Sequence, residues 1–380
     1  MQKDQSAAAA LKQPGFVRRE WALPINVATA VLFLIFSGSW LADLSNRGWF
    51  AFILIWLFAA ILISAFAVVR HAEELAHALG EPLGTLILTL AVTGIEVTMI
   101  AAVMYTSGGG SSMARDAMFA VVMIVLNGMV GMSLLLGGMR HREQTYNLQG
   151  ANAFLAVIIP LSVLGLILPN YTVTTPGPSL SSMQSIFLIV MSIGLYGVFL
   201  AIQNLRHREY FIAPQASSDT NESSHAGEGG PSIPFHATML VIYLLPLVLL
   251  CKKLAIPIDH GIRVLHAPPA LGGFLVAVLI LSPESLSAVR AAMGNQLQRS
   301  VNVLLGSVLA TISLTIPAIL IIGFINHQQV ILGLDASDTI LLVLTLGLSM
   351  LTFASVKTNV LLGAVHLLMF LAYLMLIFER

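Results

Sequence analysis

Residues 84–99 read GTLILTLAVTGIEVTM, and residues 272–287 read GGFLVAVLILSPESLS. Each belongs to an apolar run of about twenty residues, the length that crosses a hydrocarbon core as a helix. In each, the run is broken by one glutamate twelve positions after the glycine, Gly84 to Glu96 and Gly272 to Glu284. The pattern continues along the chain of 380 residues, which is 57% hydrophobic and only 9% charged, with a mean hydropathy of +0.89. A soluble domain carries about 25% charged residues, so this chain cannot surround a water-facing fold. Eleven candidate spans lie near 25–44, 49–69, 84–106, 117–139, 151–168, 183–203, 236–251, 271–293, 300–325, 338–355 and 358–378. Backbone groups in lipid must be satisfied internally, and the alternation of a barrel is missing, so helices remain. The expected class is an all-α polytopic membrane protein of about eleven transmembrane helices.

The net charge of zero gives no reason to expect a nucleic-acid partner. The single cysteine, Cys251, excludes an internal disulfide and a thiolate metal cluster. Residues 1–24 contain Lys3, Lys12, Arg18 and Arg19 but no short apolar core with a cleavage site, so they read as a cytoplasmic segment before a true first span. With that terminus inside, twelve of the Lys and Arg residues near span ends fall in the cytoplasm and six outside, Lys252 and Lys253 being the main dissenters. This places the C-terminus outside. Residues 204–234, rich in Ser, Gly, His and acids, read as a mobile cytoplasmic connector.

On that topology the third and eighth spans run in opposite directions, so the two glutamate segments form an inverted echo. A helix-disturbing residue precedes each acid, Gly94 in one and Pro283 in the other. Setting aside 25–44 as a peripheral helix leaves two sets of five, 49–203 and 235–380, with a glutamate in the second helix of each. Inverted repeats with interrupted helices place a binding site at their interface near the bilayer midplane.

Of the 18 acidic residues, only Glu96 and Glu284 fall near the middle of a span, and no Lys or Arg lies at matching depth. An ionised carboxylate there costs roughly 2.5–3.5 kcal/mol on the insertion scale, so a proton or a cation has to compensate it. Two facing carboxylates hold one divalent cation or two protons at equal charge, which is the physical basis of cation/proton exchange. Pro283 has no N–H to bond the carbonyl of Leu279, and a freed carbonyl suits a hard cation. Thr93, Thr98, Ser282 and Ser285 add hydroxyls near the acids. Asn127, Ser133, Ser307, Thr311 and Ser313 lie in the following helix of each set, with Thr89 one turn before Thr93. Of these, Thr93, Ser282 and Asn127 are the first candidates. Against them stands the common habit of Ser and Thr of bonding their own helix backbone. The same offset in two inverted copies argues against Glu96 and Glu284 being protonated packing residues.

Other polar residues have plainer readings. His71, Glu73, Glu74, His77 and Glu81 read as a solvated interfacial helix with a Glu73–His77 pair, the alternative being a pH sensor or cytoplasmic funnel. His366 reads as a packed histidine bonded to a neighbour. Trp40 and Trp49 sit at span ends as interfacial anchors.

Several stretches together resemble the Ca²⁺/cation antiporter superfamily, in its cation/proton exchanger branch and the bacterial ChaA-type sodium-potassium/calcium:proton group. They are VVRHAEELAHALGEPLGTLILTLAVTGIEV (68–97), GFLVAVLILSPESLSAV (273–289), QLQRSVNVLLGSVLATISLTIP (296–317) and TNVLLGAVHLLMFLAYL (358–374), with REQTYN (142–147) a weaker match. The resemblance implies an eleven-helix exchanger with a peripheral first helix and two inverted five-helix repeats. Its signature glutamates fall on Glu96 and Glu284. Members often carry hydroxyl or amide residues shortly before each glutamate. Thr93 and Thr89 take approximately that place in one half, whereas Leu281 and Ile280 stand there in the other.

The reading is a secondary antiporter of the bacterial inner membrane, with no cofactor, no catalytic residues, and the bilayer, cations and protons as its partners. It exports Ca²⁺, together with Na⁺ or K⁺, against protons. A monovalent-only Na⁺/K⁺:proton antiporter is the alternative. An intramembrane enzyme is a weaker one, since no aspartate cluster, Ser–His pair or zinc motif lies at membrane depth. A passive channel is a third. Oligomeric state, preferred cation and stoichiometry are not legible.

Overall fold

Asn46 begins the longest helix by accepting hydrogen bonds from the backbone N–H groups of Gly48 and Trp49 at 2.9 and 3.1 Å. Gly80, at φ +66°, ends it in a backbone conformation that glycine adopts without strain. A computed structural model describes residues 20–80, 83–106, 112–175, 177–212 and 233–379. Within them, eleven helices follow in order: α1 Ala22–Trp40, α2 Arg47–Leu79 and α3 Leu83–Thr106, then α4 Ala114–His141, α5 Leu148–Asn170 and α6 Ser182–Arg206. After them come α7 Ile233–Val264, α8 Ala270–Met293, α9 Leu297–Ile325, α10 Ala336–Thr352 and α11 Val360–Phe378. Among the described residues, nine are long and apolar enough to cross a membrane, with shorter apolar stretches at Thr89–Ala101 in α3 and along α10. The all-helical membrane fold is therefore as expected. The caps are side-chain oxygens where the sequence offers them: Asn147 for α5, a Ser181–Gln184 capping box for α6, and Asn359 for α11.

Three boundaries depart from expectation. Helix α2 runs ten residues past the expected end at 69, because His71, Ala72 and Leu75 are buried. The solvated interfacial helix is thus only half right: Glu73, Glu74 and His77 are exposed, His71 is not. Helix α7 runs on to Val264 through Pro246 and Pro257, so Lys252 and Lys253 lie within it rather than beyond its end. At 1.5 Å per residue, α2 and α7 are each close to ~50 Å long, well beyond a ~30 Å hydrocarbon core. The expected connector from 204 is packed at its start. Phe211 is buried against Phe154 and Phe199, and Asn302 donates to its carbonyl at 2.7 Å. Residues 213–232 of that connector, and 1–19 of the N-terminal segment, lie outside the described residues.

Neither Gly94 nor Pro283 breaks its helix. Helix α3 continues through Gly94, and α8 through Pro283, since a membrane helix absorbs a proline when its surroundings re-satisfy the freed groups. The departures from α-helical bonding at membrane depth lie elsewhere, in π-helical turns at Ile124–Met129 of α4, Val163–Ile167 of α5 and Thr311–Thr315 of α9. Such turns let one residue more than usual face a neighbour, and they gather at functional positions.

Two buried apolar clusters organise the bundle. The larger joins α4, α5, α6, α9, α10 and α11. The smaller joins α1, α2 and α7. Helices α3 and α8 straddle the seam: Ile100 and Leu281 belong to the first cluster, Met99, Leu279 and Ile280 to the second. Outward-pointing Ile35, Ile55, Phe187, Leu351 and Leu368 are exposed, as lipid-facing residues would be.

Two short clasps close the ends of the bundle. The strand β1 (Gln144–Thr145), after α4, pairs antiparallel with β2 (Lys357–Thr358), before α11. Glu143 and Lys357 meet beside it at 2.9 Å. At the other pair of connections Ile331, after α9, bridges Ser179, before α6.

Candidate functional site

Helices α3 and α8 carry their glutamates into one cavity of about 200 Å³. Its walls include Thr89, Thr93 and Glu96 of α3, Glu284 and Ser287 of α8, and Asn302, Gly306 and Ser307 of α9. Tyr196, Phe199 and Gln203 of α6 close one side. Both carboxyl groups belong to its lining. Glu96 is 3% exposed, and its Oε2 accepts hydrogen bonds from the hydroxyls of Thr311 and Thr315, each at 3.0 Å. These threonines open and close the π-turn of α9, four residues apart on one face. The Ser307 hydroxyl, one turn earlier, faces the Glu284 carboxyl.

Three buried oxygens at this place have no hydrogen-bond partner: Glu96 Oε1, Glu284 Oε2 and Thr93 Oγ1. All three residues line the cavity. Native proteins rarely leave buried polar atoms orphaned without an ion, a water or a role for the strain. A small chamber carrying three acids, Glu73, Glu96 and Glu284, and no basic side chain among its lining residues is suited to a hard cation or to protons.

The chamber adjoins a wider vestibule of about 410 Å³, lined in part by Phe66, Arg70, Arg290 and Arg299. Val69, Glu73 and Ser287 line both spaces. The path thus leads from the two acids to the membrane face that carries these arginines. At the opposite end Arg115, 6% exposed, ties α4 to the segment before α10. It donates to Asp116 at 2.8 Å and to the carbonyl of Gly333 at 2.9 Å.

The other expected site residues divide sharply. Thr93, Thr89, Ser307 and Thr311 stand in the chamber or against its acids. Ser282 does not, because its hydroxyl donates to the carbonyl of Val278 at 2.6 Å within its own helix. Asn127 belongs to a separate buried network. It donates to Thr345 Oγ1 at 2.8 Å, and its Oδ1 lies 3.3 Å from His366 Nδ1, while His366 Nε2 lies 2.8 Å from Thr352 Oγ1. His366 is thus a packed, bonded histidine, as expected. Leu279, Thr98, Ser285, Ser133 and Ser313 line neither space, and Pro283 lines the vestibule alone. Sequence reasoning missed Thr315, Gln203 and Asn302. The i,i+4 spacing of Thr311 and Thr315 was the available signal for the first. The other two come from parts of α6 and α9 distant in sequence from either acid.

Known proteins resemble this chain in sequence and in fold. The sequence pattern of the family described as sodium/calcium exchanger protein matches residues 49–205 and 235–379. The sodium-potassium/proton antiporter ChaA of Escherichia coli (strain K12) is 41% identical over 319 residues, covering 84% of this chain and 86% of that protein. A putative ionic transporter, y4hA, of Sinorhizobium fredii is 40% identical over 327 residues, 85% of this chain and 88% of its own length. Among solved structures, native YfkE superposes with a TM-score of 0.71 at 17% identity, covering 94% of this chain and 100% of its own. The H⁺/Ca²⁺ exchanger CAX gives 0.65 at 13% identity, covering 95% and 89%. At such identities the two structures speak for the fold.

Proposed function

The chain belongs to the sodium/calcium exchanger protein family, and from that premise we propose that it is a secondary antiporter exporting Ca²⁺, with Na⁺ or K⁺, in exchange for protons. The observation that carries the proposal is the single chamber holding Glu96 and Glu284 with three orphaned oxygens. Empty of cations, two carboxylates in a dry site need two protons. A divalent cation replaces both at equal charge, and a monovalent cation replaces one. Cation and proton therefore compete for the same oxygens, and either load allows the site to change its side of access. Thr311, Thr315, Thr93 and Ser307 supply hydroxyl oxygens beside the carboxylates.

The fold supports the two-repeat reading of this mechanism. The clasp β1–β2 joins the connection after α4 to the one before α11, and the Ile331–Ser179 bridge joins the connection after α9 to the one before α6. These are the same pairing with the two sets of five exchanged. The π-turns of α4 and α9 also fall in corresponding helices. We take the side richer in Lys and Arg as cytoplasmic; on that reading the vestibule faces the cytoplasm and the chamber as described draws its cation from inside.

A monovalent-only exchanger is the second reading, favoured by the name of the E. coli relative, a sodium-potassium/proton antiporter. One experiment separates them: collapse of a preset pH gradient in proteoliposomes on addition of Ca²⁺, Na⁺, K⁺ or Mg²⁺. We expect Ca²⁺ to release protons in the wild type, and both Glu96→Gln and Glu284→Gln to lose the response. A response to Na⁺ and K⁺ alone selects the second reading. Normal exchange by both variants overturns the two-carboxylate mechanism.

A further inference from the structure

Glu73, one turn after Val69 on α2, lines the vestibule and the chamber alike. Among the described residues that line the vestibule it is the one carboxylate, set against the guanidinium groups of Arg70, Arg290 and Arg299. A cation approaching this mouth therefore meets a predominantly positive wall, and clefts lined by one sign of charge act strongly on the local concentration of ions. Glu73 interrupts that wall at its narrow end. Its side chain is exposed. Its charge acts outward on Arg299 and inward on Glu284. It thus stands electrostatically between the mouth and the buried pair, where Val69 beside it offers no polar group.

We propose that Glu73 is a third, transient cation-binding carboxylate, which takes the cation from the vestibule and passes it to Glu284. This rests on the antiporter reading above and adds the route of loading. Arg299 lines the same mouth, and its charge acts on Glu73 until a cation arrives. The transfer keeps a carboxylate oxygen on the ion while it sheds water, so the cation passes Arg290 and Arg299 without facing their charges alone, Arg70 being paired with Glu20 at 2.6 Å. Because Glu73 lies on one face only, its effect is confined to cations presented from that face.

The test uses the full chain in proteoliposomes of defined orientation, with Ca²⁺, Na⁺ and K⁺ each as the presented cation. For Glu73→Gln we expect the apparent KM on the vestibule side to rise about tenfold at low ionic strength, an effect of the size electrostatic focusing produces. The maximal rate stays near wild type, and the rise shrinks as salt screens the mouth. Cation presented from the other side shows an unchanged KM. Glu73→Asp, which keeps the charge, restores loading, and Arg299→Gln lowers the KM. Glu74→Gln removes a neighbouring charge that lines neither space, and leaves both sides unchanged. A wild-type KM in Glu73→Gln, or a loss of rate equal from both sides, overturns the proposal. If that occurs while Glu96→Gln and Glu284→Gln are inactive, the loading route fails and the two-glutamate site stands. If those two variants exchange normally, both ideas fall.

Discussion

Replacing Thr315 by Val removes one of the two hydroxyls that bond Glu96 Oε2, both at 3.0 Å, while nearly preserving side-chain shape. A hydrogen bond to an ionised group contributes about 1.5–3 kcal/mol net, against roughly 0.5–1.5 kcal/mol for one between neutral groups. The donor therefore favours ionised over protonated Glu96 by about 1–1.5 kcal/mol. Cation binding requires the ionised form and proton binding removes it. Losing one donor should then weaken the cation against the proton by about five- to tenfold at fixed pH. The double variant Thr311→Val/Thr315→Val should lose more than the product of the two single effects, because in each single variant the remaining threonine strengthens its bond. The assay is cation-dependent dissipation of a pH gradient in proteoliposomes, fitted for apparent KM and maximal rate over a range of internal pH. We expect KM to rise and the maximal rate to hold, and Thr315→Ser to behave as wild type. An unchanged KM in the double valine variant, with Glu96→Gln inactive, would refute the claim that these hydroxyls tune the site.

Three further outcomes follow from the same structure. Competition sets a pH slope: the apparent KM for the cation should rise about tenfold per pH unit of acidification for each proton displaced, so the slope counts protons per cation, and a flat profile would separate the two sites. A Cβ on Gly363 would lie 2.5 Å from the backbone nitrogen of Leu135 and 2.9 Å from the carbonyl of Gly131, so Gly363→Leu should force α11 from α4 and lower the melting temperature in detergent. Glu20 lies before α1, where burial opposes its ionisation. The ring of His71 at 3.2 Å and the Arg70 guanidinium at 2.6 Å nonetheless hold its carboxyl below the ordinary range, with help from the Tyr243 hydroxyl. A depressed value gives stability that is present above the unfolded value near 4.5 and lost as pH falls through the folded one. Thermal stability of the wild type should accordingly fall more steeply on acidification than that of Glu20→Gln, measured by scanning fluorimetry.

How much was legible in the sequence depended on whether one residue or two elements carried the information. Glu96 and Glu284 were visible because a carboxylate at membrane depth is costly wherever it stands. The number of helices was visible for the same reason, since lipid fixes their length and composition. Their ends were less so: Leu75 of α2 and Cys251 of α7 are buried by tertiary packing, not by any local signal. Hydroxyl placement was the least legible. Ser282 and Thr311 look equally suitable on paper, yet one bonds its own helix at Val278 and the other reaches Glu96 from a different helix. The deciding fact is the π-turn at Thr311–Thr315, which no propensity announces. Asn127 was misjudged because its partners, Thr345 and His366, come from the last two helices.

The partners of the two acids also differ in a way that bears on how the site changes its side of access. Glu284 on α8 faces Ser307 on α9, and these helices are consecutive, joined only by residues 294–296. Glu96 on α3 is held by Thr311 and Thr315 on the same α9, which lies more than 200 positions away in the chain. If the two sets of five rock against one another, the Glu284–Ser307 pair travels as a unit, whereas the bonds to Glu96 cross the moving boundary. Glu96 is then the acid whose ligand shell is exchanged between states. The consequence is an asymmetry between two otherwise similar substitutions. Ser307→Ala should change the apparent KM by the same factor for cation presented from either side, because its partner never leaves it. Thr315→Val should change it mainly from the vestibule side, the state in which the threonine bonds are made. Measured in oriented proteoliposomes, equal factors for Thr315→Val from both sides would mean that α3 and α9 move together, and the boundary would have to run elsewhere, along the seam that separates α2 and α7 from the larger cluster.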